Sequence, residues 1–326
     1  MSLLKSSFNP DLVSVIVPTY NRAHLIESTL DSVYKQTYRP IELIVVDDGS
    51  SDNTRKFVDA WKSDKAIDNR FSVVYLFQEN QGPSIARNHG LSKCSGQYIQ
   101  FLDSDDIVHN EKLAVQVAVM REKNVDFCVC NYQTFDDNVN ILGPVVSFYH
   151  RSHATEDFPI SYPMNTPCPL YSREAIMHNG PWDESLSAGE DFEYNFRMVV
   201  GGMAGHWIDR VLLFVRKHSG EERIQSTPLA ERFQSMYVGL VKMEAEAIQC
   251  GRCSGALQNS LGLRAYQYYR HTKTEGSLVY ARAYLMYAWP RLRWSSKVKL
   301  IALRILPSKM TKMFVAVKRV CNWDQG

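Results

Sequence analysis

The chain has 326 residues, 45% hydrophobic and 22% charged, which suits one large soluble domain or a domain with an appendage. Seven cysteines, an odd number in so long a chain, argue against a disulfide framework and for reduced structural thiols. The net charge of +2 conceals an asymmetry: Gly276 to Trp323 holds ten Lys or Arg and no acid, which leaves 27 basic and 35 acidic residues elsewhere, so an anionic partner is expected for the basic part alone.

"VSVIVP" (13–18) is a short β-branched run and reads as a strand. Residues 22–36 place Leu25, Ile26, Leu30 and Val33 at helical spacing. Strands follow at 41–48 and 71–77 around a capped helix at 51–63. Pro83 opens a helix that runs to Lys93, 96–103 is a strand, 110–123 a helix, and 125–132 a strand that closes the series. Continuous apolar strands alternating with helices predict an α/β fold, a mostly parallel sheet between helices. From 133 to 170 prolines at 144, 159, 163, 167 and 169 break the pattern. Helices are expected at 171–178 and 189–200, short strands near 204–208 and 211–216, and helix from Glu221 to the end. The expected domains are a catalytic domain at 1–220 and a helical, basic region at 221–326. The N-terminal "MSLLKSSFNP" has no apolar stretch of signal-peptide length, and nothing reaches the ~20 apolar residues of a membrane span. The expected location is cytoplasmic, with peripheral contact on the inner face of a membrane as an option.

Ligands of an open parallel sheet bind beyond the carboxyl ends of its strands. Here those ends are "PTYNR" (18–22), "DDGSSD" (47–52), "ENQGPSIARN" (79–88) and "DSDD" (103–106), four polar stretches expected on one rim. Three acids within four residues repel one another unless a cation sits among them. Mg²⁺ or Mn²⁺ fits, since each is held by one or two carboxylates and completes its shell with phosphates. Neither a Walker-type loop nor a G-x-G-x-x-G follows the first strand, which favours a metal-held nucleotide diphosphate over a nicotinamide. "GEDFEYNFRM" (189–198) opens a helix with Glu190 and Asp191, and Asp191 suits the base that takes a proton from an attacking hydroxyl.

Together, "VSVIVPTYNRAHLIESTLDSVYKQTYRPIELIVVDDGSSDNT", "NQGPSIARNHGLSKCSGQYIQFLDSDD" and "GPWDESLSAGEDFEYNFRM" resemble the family 2 glycosyltransferases of GT-A fold over about residues 12–218. The resemblance implies that Pro18, Thr19, Tyr20 and Asp48 line the base pocket, with Asp48 on the imide of uracil. It implies that Asn80 and Arg87 contribute to nucleotide binding, and that Asp103 approaches ribose and metal. Asp105 would bind the metal directly, Asp191 would be the general base, and Glu190 would contact the acceptor. His218, in "RKHSG", is the candidate for the late-loop histidine that reaches the metal or the diphosphate.

The resulting expectation is a metal-dependent inverting transferase of hexosyl type. It would take a nucleotide-sugar donor, UDP-linked, and a glycan or lipid-linked saccharide acceptor. Its rivals are a nucleotidyltransferase, which would need a glycine-rich basic loop after the first strand, and a non-catalytic sugar-nucleotide binder. Residues 289–320 mix cations with Leu, Ile, Trp and Phe at helical spacing, which suits either a packing helix or one lying on an anionic membrane. Nucleic acid is not an expected partner, because no recognition motif is present.

Overall fold

The computed structural model describes residues 8–65, 70–136, 140–147, 155–158, 164–217 and 228–305. The chain forms two compact units, 1–253 and 254–326.

The first unit is built on one nine-stranded sheet. Its N-terminal half is parallel, in the order β3 (Phe71–Gln78), β2 (Ile41–Asp48), β1 (Asn9–Thr19), β4 (Gly96–Phe101). Every residue of β2 is buried, as is β1 from Val13 to Thr19, which is why these strands read as unbroken apolar runs. Helices α1 (Ile26–Tyr34), α2 (Thr54–Asp64) and α3 (Pro83–Lys93) are the crossovers. Helix α1 begins four residues later than its periodicity predicts. Asn21 takes a left-handed φ of 51°, and its side-chain oxygen accepts from the Ser51 amide at 2.8 Å, so residues 20–25 serve as a loop tied to the next strand end. In-register pairing of Thr19 with Asp47 and of Asp48 with Gln78 brings three strand ends to one rim.

The second half of the sheet departs from the expected series. After β5 (Ile107–Val108) and α4 (Lys112–Lys123), the strand β6 (Phe127–Phe135) does not lie beside β4. A short strand, β8 (Pro169–Ser172), lies between them and runs antiparallel to both. Helix was expected from 171, but the strand takes Leu170 and Tyr171 into the core, and α5 (Arg173–Asn179) starts after Ser172, whose hydroxyl caps the Ala175 amide. The hairpin strand β7 (Ile141–Val146) pairs with β6. Helix α6 (Glu190–Val200) leads to β9 (Gly205–Arg216), one continuous strand where two short ones were expected. The expected break survives as a register shift against β6 between Cys130 and Asn131. β5 pairs with the end of β9, which carries Arg216 to the 103–106 turn. Helix α7 (Leu229–Gln249) completes this unit.

The second unit contains α8 (Gly255–Thr274), α9 (Leu278–Arg291) and α10 (Trp294–Ile305). α8 and α9 pack as a hairpin, with Tyr268 and Tyr284 rings 5.4 Å apart. Gly262 supports the close approach, since a Cβ there would stand 3.1 Å from the Ala288 carbonyl. Of the basic segment 289–320, the described part ends at Ile305. No helix among the described residues is long and apolar enough to cross a membrane.

Candidate active site

A cleft of about 440 Å³ opens at the carboxyl ends of β1, β2 and β4. It is lined by Pro18, Thr19, Tyr20, Asp48, Asn80, Arg87 and Asp103, the seven residues expected to hold a nucleotide. The Asp48 carboxylate also organises the loop opposite. It accepts from the Gln81 amide at 2.9 Å, the Gly82 amide at 2.8 Å and Gln78 Nε2 at 2.8 Å. Two of these bonds fall on Oδ1 and one on Oδ2, so Oδ2 retains acceptor capacity. Gly49 makes the turn possible, with a φ of 82° and no room for a side chain, since a Cβ would lie 2.7 Å from the Asn80 nitrogen.

Three buried hydroxyls, Thr19 Oγ1, Ser84 Oγ and Ser104 Oγ, line the same cleft and have no protein partner. A buried polar group without a partner is costly, so three around one cleft mark a surface shaped for a polar ligand. Residues Glu184 to Ser187 form another wall. Asn88 fastens that wall to α3: its Nδ2 donates to the Trp182 carbonyl at 3.0 Å and to Glu184 Oε1 at 2.8 Å, and its Oδ1 accepts from the Trp182 amide at 2.9 Å. Sequence reasoning missed Ser84, Ser104 and Asn88, although all three stand inside the quoted motifs. It also missed Leu186 and Ser187, which lie inside the quoted "GPWDESLSAGEDFEYNFRM" but in an aperiodic loop with no charged group to single them out.

The acids divide into two groups joined by Arg87. This buried guanidinium donates to Asp103 Oδ1 at 3.1 Å and to Glu190 Oε1 at 3.2 Å. It lies 4.5 Å over the Trp182 ring, which stacks on Tyr194 with ring centroids 4.1 Å apart. Burial alone would lower the Arg87 pKa, but the facing carboxylates of Asp103 and Glu190 hold it up. Burial raises Asp103 against the pull of Arg87, with Asp105 adding to the rise. Asp191 is the second residue of α6, which starts behind Gly189, whose φ of 77° suits a glycine, and the Asp191 Oδ1 accepts from the Phe192 amide at 2.7 Å. Desolvation first, and Glu190 next, push its carboxyl up to about 7 despite Arg87.

Asp105 lies beside the cleft rim, with Arg22 Nε 3.9 Å from its Oδ2 and its carbonyl accepting from Arg216 Nε at 3.0 Å. Asp106 turns inward. Its Oδ1 accepts from the Arg216 amide at 2.9 Å, so it braces β9 instead of facing a ligand. Among the described residues no three His, Cys, Asp or Glu side chains converge on one point. Asp103 and Asp105 are close enough for the Asp105 charge to raise Asp103, and two neighbouring carboxylates are the kind of donor pair a hard cation would accept, with the rest of its shell from phosphate and water. His218 lies outside the described residues.

The family model "Glycosyl transferase family 2" matches residues 14–180, about half of the chain, which covers β4, the DSDD turn and the cleft lining from Pro18 to Ser104, and ends before the 184–187 wall. The chain belongs to glycosyl transferase family 2. This glycosyltransferase-family chain is 32% identical over 196 residues to an uncharacterized glycosyltransferase of Rickettsia bellii, a match spanning 59% of this chain and 27% of that protein. It is 41% identical over 136 residues to the UDP-Glc:alpha-D-GlcNAc-diphosphoundecaprenol beta-1,3-glucosyltransferase WfgD of Escherichia coli, spanning 42% of this chain and 51% of WfgD. The chain thus spans less than a third of the first curated relatives it matches and about half of WfgD. Among solved structures, the mannosyltransferase PcManGT of Pyrobaculum calidifontis, in complex with GDP-Man and Mn²⁺, superposes with a TM-score of 0.57 at 22% identity, over 99% of this chain and 90% of that one. At that identity the likeness concerns the fold, and the family member described here has the GT-A fold with added C-terminal helices.

Proposed function

We propose that this chain is a metal-dependent inverting glycosyltransferase of hexosyl type, moving a sugar from a UDP-linked donor to a hydroxyl of a glycan or lipid-linked saccharide. The observation that carries this reading is Arg87, which joins the strand-end acid Asp103 to the second acidic motif at Glu190 beside a cleft with three unpartnered hydroxyls. In this reading the nucleotide lies along Pro18, Thr19, Tyr20, Asp48 and Asn80, and its diphosphate points toward Asp103. Asp103 and Asp105 would hold Mn²⁺ or Mg²⁺, which supplies charge neutralisation to the departing diphosphate. Asp191 takes the proton of the acceptor hydroxyl, and Glu190, fixed by Arg87, orients that acceptor. Attack from the face opposite the diphosphate inverts the anomeric centre, by the logic of single-displacement glycosyl chemistry. The catalytic domain is proposed to occupy residues 1–220, and the helical, basic region 221–326.

WfgD, a glucosyltransferase from UDP-Glc to a GlcNAc-diphosphoundecaprenol, supports a UDP donor and a lipid-diphosphate acceptor, and PcManGT, bound to GDP-Man and Mn²⁺, supports a divalent metal with a nucleotide sugar. Calorimetric titration of UDP with and without Mn²⁺ tests the metal. Mn²⁺ should tighten UDP, and Asp105→Asn should remove that gain while the fold survives. Equal UDP affinity of variant and parent in Mn²⁺ would show that Asp105 is not a ligand. Tighter binding of GDP than UDP would move the donor class. Slow release of UDP from a UDP-sugar without acceptor marks a transferase, and its absence with tight binding would mark a non-catalytic binder.

A further inference from the structure

Among the described residues, the helical unit exposes an apolar stripe that no packing within it consumes. On α9, Leu278, Val279 and Met286 are 72%, 78% and 66% exposed, and Trp289 is exposed beside them. At ~100° per residue these four and Arg282 fall within an arc of about 100°. The opposite face holds Ala281, Tyr284, Tyr287 and Ala288, all buried. The helix is therefore apolar on both faces, whereas a helix on a water-facing surface keeps one polar side. On α10, Trp294, 77% exposed, and Val298 add further exposed apolar surface. Cations flank these groups: Arg282 is exposed within the stripe, Arg293 is exposed beyond its end, and Lys297 Nζ stands 5.4 Å over the Trp289 ring. No acid interrupts them between Gly276 and Trp323.

We infer that the surface formed by Leu278, Val279, Met286, Trp289 and Trp294 docks on an anionic lipid bilayer. The apolar side chains enter the boundary between headgroups and acyl chains, and Arg282, Arg293 and Lys297 face lipid phosphates. Trp and Arg or Lys around an apolar face form the composition of an interfacial helix. A second copy of the chain fits less well, because an isologous contact through this stripe would set cations against cations with no acid to pair them. The inference extends the proposed function to a partner surface upstream of most of the basic tail, and it stands independently of the acceptor assignment.

Co-sedimentation of the full chain with phosphatidylcholine vesicles, with and without phosphatidylglycerol, tests it. The parent should sediment with the anionic vesicles and lose binding as salt rises. Arg282→Gln/Arg293→Gln should weaken partitioning by roughly fivefold per cation removed. Met286→Gln/Trp289→Gln should abolish partitioning with the circular dichroism spectrum unchanged. UDP release from a UDP-sugar, followed in the same samples, should be unchanged in both variants, so failure of the surface is read separately from failure of the donor site. Equal sedimentation of parent and variants would overturn the inference, as would equal binding to neutral and anionic vesicles. A dimer seen by sedimentation equilibrium and broken by Met286→Gln/Trp289→Gln would assign the stripe to a second copy instead.

Discussion

Asp191 shows how position sets the chemistry of one side chain. A carboxyl with a pKa near 3.9 in open chain is a weak base at neutral pH, whereas one pushed up to about 7 by burial and Glu190 is matched to it. The acid limb of the transfer rate should therefore rise as pH is raised through about 7, and Asp191→Asn should lose that limb and a factor of ~10²–10⁴ in kcat while UDP affinity holds. The same shift has a stability consequence of fixed sign. Between ~3.9 and about 7 the folded state holds a proton that the unfolded state has lost, so this residue's contribution falls as pH rises through that window. Urea unfolding across the window should show a shallower decline in the Asn variant. Full transfer activity in Asp191→Asn would relocate the base, with Glu190 next.

Among the helices, α7 acts on the cleft from behind. Lys242 Nζ donates to Asp183 Oδ2 at 2.5 Å and to Ser185 Oγ at 2.8 Å. Seven residues earlier, two turns along the helix, Ser235 Oγ accepts from the Ala188 amide at 3.0 Å and donates to the Ala188 carbonyl at 2.8 Å. The helix thus holds both ends of the 183–188 loop, whose middle lines the cleft. Lys242→Ala/Ser235→Ala should raise amide exchange across 183–188 and lower kcat/KM by ~10–10²-fold, because small displacements of a positioning wall cost rate steeply. The melting temperature should fall by only a few degrees, since few bonds at a partly wet site are lost. Unchanged kcat/KM alongside faster exchange would reduce the clamp to a structural detail.

The stability of the whole molecule carries the mark of one buried cation. Lys112 is fully buried under the sheet, where it donates to Gln100 Oε1 and, at 2.6 Å, to Gln116 Oε1. Burial pushes its ammonium down from the usual range, and the thiols of Cys130, Cys168 and Cys128 offset only part of that. Between the folded pKa and ~10.4 the unfolded chain binds more protons, so this residue makes stability rise with pH. Tyr171, Tyr194 and the buried thiols, all raised, act with the opposite sign as pH climbs past their unfolded values. Comparing denaturation of the parent and Lys112→Met from pH 7 to pH 10 isolates the lysine, and the variant should lose the rising component. Identical slopes would mean that Lys112 stays charged in the fold.

The sequence by itself determined β1 to β4, the crossover helices between them, and seven of the residues that line the cleft. Each depends on a local rule: β-branched runs make buried parallel strands, and the carboxyl ends of such strands must meet at one rim. Pro18 to Tyr20, Asp48 and Asp103 could therefore be placed together without coordinates. Tertiary structure alone decided that β8 separates β4 from β6, because four residues of strand carry too little periodic signal to compete with the helix that follows. It also decided that Asp105 and Asp106, adjacent in the chain, take different surroundings, one at the rim with Arg22 and one bracing Arg216. The partners of Arg87, 16 and 103 residues away, follow from no spacing rule. An ion pair forms where the backbone delivers two charges to the same low-dielectric spot, and that delivery depends on the packing of β4, α3 and α6 together.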